Sequence, residues 1–364
     1  MASRRWKIAG VVAVLVVVAL AVGAWKARRV IDAVAEVIAT DELDGKQLTT
    51  AEDVWAYLRA HPERYALAAW DVGDEAHGVF LDAETEWPLA STVKVVPLAL
   101  ACHRLEQGRW TPDRPLPNVE HFYLSGTDGQ AHPKARSALD GGIVTVGAAL
   151  TAMIQFSDNA ATDALLFELG REALEVETAA LGVLRAPHPL AGTLLASLEG
   201  ADAGVADDRA WALALTLKED AARADVMAEA FAARRVREQV VMAATLDNRG
   251  SARAYARLLE RFFVDDGPRY APARDRLSWP MRFPANQERF LRWGTKGGAL
   301  AGTLTSAHFV EQKNGRRRVL ALFLHDLPFA TWAGLANSYA QQKVELELLL
   351  ADDVRALVQQ RLGR

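Results

Sequence analysis

Cysteine is all but missing: Cys102 is the single one in 364 residues, so no internal disulfide can form. The eight histidines include no His-x-x-x-His pair and the chain has no Cys-x-x-Cys. The common sequence signatures of a zinc site are therefore missing too, and neither metal nor cofactor is expected. An excess of one charge is also lacking. The 42 Lys and Arg against 46 Asp and Glu leave a net charge of -4, which gives no electrostatic reason to bind nucleic acid. What is present is ordinary globular composition, 51% hydrophobic and 24% charged, enough to bury one large core or two smaller ones. Wholesale disorder and repeat arrays are thereby excluded.

One long uncharged run begins the chain. Ile8 to Trp25 is 18 residues rich in Val, Ala and Leu. At about 1.5 Å per residue it would nearly match the hydrocarbon core of a bilayer. Arg4, Arg5 and Lys7 precede it while Lys26, Arg28 and Arg29 follow, so flanking charge alone does not orient it. An uncleaved anchor within residues 1–29, with residues 8–25 in the membrane, is expected; a removed signal segment is the alternative.

Residues 30–364 read as one further domain. Val30 to Arg64 has helical character, with Thr50-Ala51-Glu52-Asp53 resembling an N-cap and an acidic first turn. Tyr65–Val72 and Gly78–Leu81 form a hairpin pattern. From Ser91 to about Phe263 the chain is dominated by Ala, Leu and charged residues at helical spacing, with Asp207–Val241 an extra charged helical stretch. Strand character returns at Arg289–Trp293, Gly302–Gln312 and Arg317–Leu324, with Asn314-Gly315 as the turn between the last two, and Trp332–Arg361 is helical. The expected architecture is α+β. An α/β part over about 50–90 and 285–364 is completed by both ends of the domain, and an all-helical part over about 91–284 is inserted between them. An active cleft would lie where the two meet.

Of the ten serines only Ser91 has lysine three residues on, in Ser91-Thr92-Val93-Lys94. Pro88 breaks the preceding segment and an apolar helix follows, so Ser91 is expected in a first helical turn with Lys94 beside it on the same face. A neutral lysine amine there can take the serine proton, and burial together with the positive helix N-terminus favours that neutral state. Ser157-Asp158-Asn159 adds a second hydroxyl and an amide; the same three residues are also good helix caps before Ala160. The third element, Trp293-Gly294-Thr295-Lys296-Gly297-Gly298-Ala299, is a strand with a lysine followed by two glycines. Glycine inside a strand marks a bulge or the close approach of another backbone or a ligand.

In this order the three elements resemble the penicillin-recognising serine hydrolases, the family of class A β-lactamases and D-alanyl-D-alanine peptidases. Pro88-Leu89-Ala90-Ser91-Thr92-Val93-Lys94 is similar to the nucleophile segment, and Met153 to Asp163, preceded by Val144-Thr145-Val146, is similar to the second. The resemblance covers about Ala51 to the C-terminus. It implies a β-lactamase/D,D-peptidase-like fold, an antiparallel sheet flanked by helices plus an all-helical part, here behind a transmembrane helix. It also implies roles. Ser91 attacks a carbonyl, Lys94 accepts its proton, and Ser157 with Lys296 relays a proton to the leaving nitrogen. Asn159 holds the substrate amide side chain, the N–H groups of Ser91 and Ala299 hold the oxyanion, and Gly298 lets the substrate backbone approach. Lys296 supplies positive potential for a substrate carboxylate.

Two departures matter. Gly297 stands where the family usually has Thr or Ser to bind the substrate carboxylate, and Thr295, Thr303 and Thr305 are the residues able to compensate. Arg185-Ala186-Pro187-His188-Pro189-Leu190 lacks the Glu that activates the deacylating water in class A enzymes, leaving His188 and Glu199 as candidate bases. The expected activity is acyl-serine hydrolysis of a β-lactam or a cell-wall-peptide-like amide. The alternatives are a D,D-peptidase, transpeptidase or esterase, and a non-hydrolytic penicillin-recognising sensor or scaffold. The catalytic domain is expected outside the cytoplasm, periplasmic or at the cell surface, and secreted if the N-terminal segment is removed.

Overall fold

Thr50 starts the first of the described helices, Ala51–Ala60. Its hydroxyl accepts the Asp53 N–H at 3.1 Å while the Asp53 carboxylate accepts the Thr50 N–H at 3.0 Å, and Val54, Trp55 and Leu58 turn inward. The computed structural model describes residues 48–125, 130–138, 142–199, 206–220, 245 and 247–363. The expected membrane segment 8–25 and the part of the expected helical stretch beyond residue 220 lie outside the described residues. Among the described helices none is long and apolar enough to cross a membrane.

Among the described residues five strands form one antiparallel sheet, in the order Val79–Leu81, Tyr65–Asp71, Arg317–Leu324, Thr303–Gln312, Phe290–Leu300. The hairpin pattern becomes β1 (Tyr65–Asp71) and β2 (Val79–Leu81). β3 (Trp87–Pro88) and β4 (Arg249–Gly250) make a separate two-stranded bridge. The C-terminal strands are β5 (Phe290–Leu300), β6 (Thr303–Gln312) and β7 (Arg317–Leu324). The strand character at Arg289–Trp293 and the strand read over Trp293–Ala299 are one strand that runs to Leu300, its lysine and glycines paired in register with Thr303 to Ala307 of β6. Gly315, at φ +84, makes the β6–β7 turn, with the Asn314 side chain accepting the Arg316 N–H at 3.0 Å. The helical segment expected from Trp332 to Arg361 is three helices, Phe329–Ser338, Ala340–Leu350 and Val354–Leu362. Tyr339 in the left-handed region and the extended backbone of Ala351 separate them.

Side chains alternate across the sheet and so build two cores. Leu67, Ala69, Val310, Leu320 and Leu322 face the terminal helices, against Trp55, Leu58, Val344 and Leu348. Ala66, Ala68, Trp70, Phe309, Ala321 and Phe323 face the helical part of the chain. Its central helix, Val95–Glu106, is almost wholly buried, Cys102 included, and burial pushes that thiol up to about 12. Between the helical part and the sheet, Phe263 stacks on Phe309 with ring centres 4.7 Å apart, 8° from parallel. A Cβ on Gly294 would come within 2.1 Å of the Phe263 ring, so only glycine lets β5 pass there.

Phe309 is fully buried in that stack. Phe309→Ala is expected to lower unfolding stability by about 3–5 kcal/mol, read from urea denaturation; a loss below about 1 kcal/mol would show that the stack does not join the two parts.

Candidate active site

The first helical turn expected around Ser91 is present as a 3-10 turn, Ala90–Lys94, that leads into the α-helix Val95–Glu106 and is tighter than an α-turn. The difference has a geometric effect: at three residues per turn, positions i and i+3 eclipse. Ser91 and Lys94 are therefore stacked, with Lys94 Nζ 3.0 Å from Ser91 Oγ. Lys94 is fully buried, and its amine also donates to the Ser157 carbonyl at 2.6 Å and Asn159 Oδ1 at 2.6 Å, with Ser157 Oγ at 3.3 Å.

Ser157 reaches that position through unusual backbone. A π-helical turn, Ala152–Phe156, ends at Ser157, whose φ is +65, and Asp158 then caps the helix Asn159–Leu169 by accepting the Ala161 N–H at 3.1 Å. The helix cap of the motif is thus Asp158, which frees the Ser157 hydroxyl and the Asn159 amide. A left-handed non-glycine residue costs about 1–2 kcal/mol. Here both oxygens of Ser157 are within reach of an amine, and Lys296 Nζ donates to Ser157 Oγ at 2.9 Å and to Gly297 O at 2.6 Å. Burial, and then the neighbouring Lys94, push the Lys296 pKa well below the usual lysine range.

β5 lies close against the nucleophile turn. A Cβ on Gly298 would stand 2.6 Å from Ser91 N, 2.7 Å from Leu89 O and 2.7 Å from Thr305 Oγ1, so the approach requires glycine. Thr305 Oγ1 donates to Leu89 O at 2.6 Å and lies 2.8 Å from Thr92 Oγ1, while Thr295 Oγ1 donates to Ala307 O at 3.1 Å. Those two hydroxyls are engaged inside the protein, and Thr303 is buried. Gly297 is exposed, with ordinary contact distance above it, and Ala299 is exposed on the same strand, opposite Leu304.

The two candidate deacylation bases are held elsewhere. Glu199 is exposed and paired with Arg209 at 2.6 Å. His188 is buried, with Nδ1 3.2 Å from Asp207 Oδ1, and its backbone N–H and C=O are both bonded by the Asn248 side chain, at 2.9 and 3.2 Å. The following helix, Ala252–Val264, is capped by Ser251, whose hydroxyl accepts the Ala254 N–H.

Sequence reasoning passed over two buried aspartates. Asp163 follows Asn159 by one helical turn, a spacing visible in the sequence. Its carboxylate accepts the Leu190 and Ala191 N–H groups, both at 2.7 Å, and so caps the helix Leu190–Leu198, whose own cap residue is Pro189. Asp247 accepts the Ala90 N–H at 2.6 Å. Near the second motif, His132 lies between Asp158 (2.9 Å) and Glu120 (2.8 Å). Burial would lower the His132 pKa, and the two carboxylates outweigh it and raise it. Among the described residues no group of His, Cys, Asp and Glu is arranged to hold a metal ion.

A family model described as the beta-lactamase enzyme family matches residues 49–343. Solved structures of similar fold include a beta lactamase from Burkholderia vietnamiensis, at 15% identity and TM-score 0.52, covering 80% of this chain and 95% of that one. A class A beta-lactamase from Mycobacterium abscessus aligns at 16% identity and TM-score 0.51, covering 83% and 100%. PBP-A aligns at 15% identity and TM-score 0.51, covering 82% and 96%. At these identities the likeness shows the fold, an α+β arrangement of antiparallel sheet and helices. No curated protein matches the sequence.

Burial pushes the Asp163 carboxyl up to about 7, with the Ala191 and Leu190 N–H groups and Lys94 pulling the other way. Its ordinary value is 3.8, so between about pH 4 and 7 the folded chain keeps a proton that the unfolded chain has released. This group therefore favours the folded state most below about pH 4, and that contribution is lost as pH rises through about 7. The urea midpoint of the wild type is expected to fall between pH 5 and 8 more steeply than that of Asp163→Asn. Equal slopes would remove Asp163 as the source.

Proposed function

Because the chain belongs to the beta-lactamase enzyme family, we propose that it is a serine hydrolase working through an acyl-serine intermediate, with Ser91 as nucleophile and Lys94 as its base. The observation that carries this reading is the bonding of Lys94. As a neutral amine its two hydrogens satisfy the Ser157 carbonyl and Asn159 Oδ1, both at 2.6 Å, which leaves its lone pair for the Ser91 hydroxyl at 3.0 Å. Ser91 Oγ then bonds to the substrate carbonyl carbon as its proton passes to Lys94 Nζ. The oxyanion is taken by the N–H groups of Ser91 and Ala299. Collapse expels the leaving nitrogen, which takes the Ser157 proton, and Lys296 replaces that proton through its 2.9 Å contact. Asn159, with Oδ1 held by Lys94, presents its NH2 group to the substrate, and Gly297, Gly298 and Thr295 form the β5 wall.

The substrate class is an amide or β-lactam of cell-wall-peptide type. One solved structure of similar fold is a PBP-A mutant in acyl-enzyme complex with penicillin G, which supports acylation chemistry on this scaffold. The pairing of Glu199 with Arg209, and of the buried His188 imidazole with Asp207, favours slow hydrolysis of the acyl-enzyme, hence a peptidase-like or penicillin-recognising protein over a fast β-lactamase. The uncharged run Ile8–Trp25 supports a membrane anchor with the catalytic domain outside the cytoplasm.

Intact-mass measurement of the full chain with a penicillin is expected to show a persistent adduct on Ser91. The adduct should be absent in Ser91→Ala and form about 10²- to 10⁴-fold more slowly in Lys94→Ala. Full labelling of Ser91→Ala would end the assignment, and rapid product release would reject slow deacylation. A membrane-impermeant fluorescent penicillin should label intact cells that express the chain. Labelling only after lysis would reject the extracytoplasmic placement.

A further inference from the structure

Ala90, the residue before the nucleophile, is a buried alanine at φ +46, in the left-handed region that side-chain-bearing residues avoid. Such backbone persists only where its surroundings over-determine it. On the N-terminal side, β3 pairs with β4, and Leu89 N–H donates to Asn248 O at 2.8 Å. The Leu89 carbonyl accepts Thr305 Oγ1 at 2.6 Å and the Thr92 N–H at 3.0 Å. On the C-terminal side the 3-10 turn begins at Ala90 itself, so its N–H is one of the orphan donors of a helix start and has no partner within the turn. That N–H points to Asp247 Oδ2 at 2.6 Å, a residue 157 positions away in sequence and 7% exposed.

We infer that Asp247 is a positioning residue for Ser91: its buried carboxylate caps the nucleophile turn from another segment and holds Ala90 in the left-handed backbone that aims the serine. This rests on the reading of Ser91 as nucleophile. The tolerance at the turn is small. Ser91 N lies 2.6 Å from where a Cβ on Gly298 would stand, and Ser91 Oγ lies 3.0 Å from Lys94 Nζ. Rotation at Ala90 would move both the N–H offered to the oxyanion and the hydroxyl offered to the base, without touching Asn159 or the β5 wall. The next residue extends the same tie. Asn248 bonds both backbone groups of His188, so two consecutive side chains just before β4 fix the nucleophile turn and the 188 loop together. Asp247 lies just before β4, within electrostatic reach of Arg249 and Tyr255, and Glu86 in turn acts on those two residues. The high value of about 7 to which burial raises its carboxyl fits a group held for its hydrogen bonds and not for exposure to solvent.

The test is the acylation of Ser91 in the full chain by a penicillin and by a fluorophosphonate, for wild type, Asp247→Ala and Asp247→Asn, with thermal midpoints measured alongside. Asn keeps an acceptor oxygen where Ala leaves the Ala90 N–H unpaired. The acylation rate constant of Asp247→Ala is expected to drop about 10- to 100-fold while the apparent binding constant for penicillin stays within roughly twofold. Asp247→Asn should retain the wild-type rate to within about threefold. A folded Asp247→Ala that acylates at the wild-type rate would overturn the inference. So would an Asp247→Asn as slow as Asp247→Ala, or parallel losses of binding and thermal midpoint in both variants, which would mark a purely structural carboxylate. A wild-type chain that neither reagent labels at Ser91 would overturn this inference together with the reading of the site, whereas a labelled wild type confines any failure to Asp247.

Discussion

The burial of one amine organises this molecule. An amine removed from water must find acceptors or lose several kcal/mol (roughly) of hydration, and Lys94 is fully inside the protein. Its partners are Ser91 on its own turn, and Ser157 and Asn159 from a segment 63 and 65 residues further on. Meeting them imposes the local backbone: a 3-10 turn in place of an α-turn under Ser91, and a π-turn ending in a left-handed Ser157. The irregular backbone and the reactive groups thus have a common cause, the requirement to satisfy Nζ from several directions at once.

A second amine shares the same hydroxyl. Ser157 Oγ lies between Lys94 and Lys296, and two positive charges that close in a buried site repel, which is one of the two reasons that the Lys296 pKa falls. In the proposed acyl transfer, the hydroxyl between them is the group through which a proton would pass to the leaving nitrogen. β5 can bring Lys296 there because glycine occupies the two places where it meets side chains or backbone of the other part: Gly294 under the Phe263 ring and Gly298 against Ser91 N. The same strand is anchored by register with β6, so the distance between the two lysines follows from sheet pairing and not from flexible loops.

Around this centre the protein uses aspartates as caps from a distance. Asp163 supplies acceptors to a helix whose own cap is proline, and Asp247 supplies one to the turn that carries Ser91. Both carboxyls are buried and both are raised to about 7, since each loses more hydration than its N–H partners return. His132 shows the converse, with two carboxylates outweighing the cost of burial for a cation.

Much of this was legible in the sequence where the governing distances are short. Helix rise sets Ser91 against Lys94 and Asn159 against Asp163, alternation along strands sets the two faces of the sheet, and Asn314-Gly315 sets a turn, all within a few residues. The hairpin Tyr65–Leu81 and the strands Thr303–Gln312 and Arg317–Leu324 were readable for that reason. That β5 lies against the turn of Ser91 was not, because the approach of Gly298 to Ser91 N depends on how the two parts of the molecule pack. Nor was the commitment of Glu199 to Arg209, or of Asn248 to His188, since those contacts depend on which surfaces pack together. By itself the sequence determined the reactive residue types and their local spacing, because a few backbone dihedrals connect them. Only the tertiary structure decided that Ser91, Ser157 and Asn159 meet around one amine with Lys296 on the Ser157 hydroxyl, and that Asp247 reaches Ala90 across 157 residues, because closing such long loops is repaid only when the whole core packs.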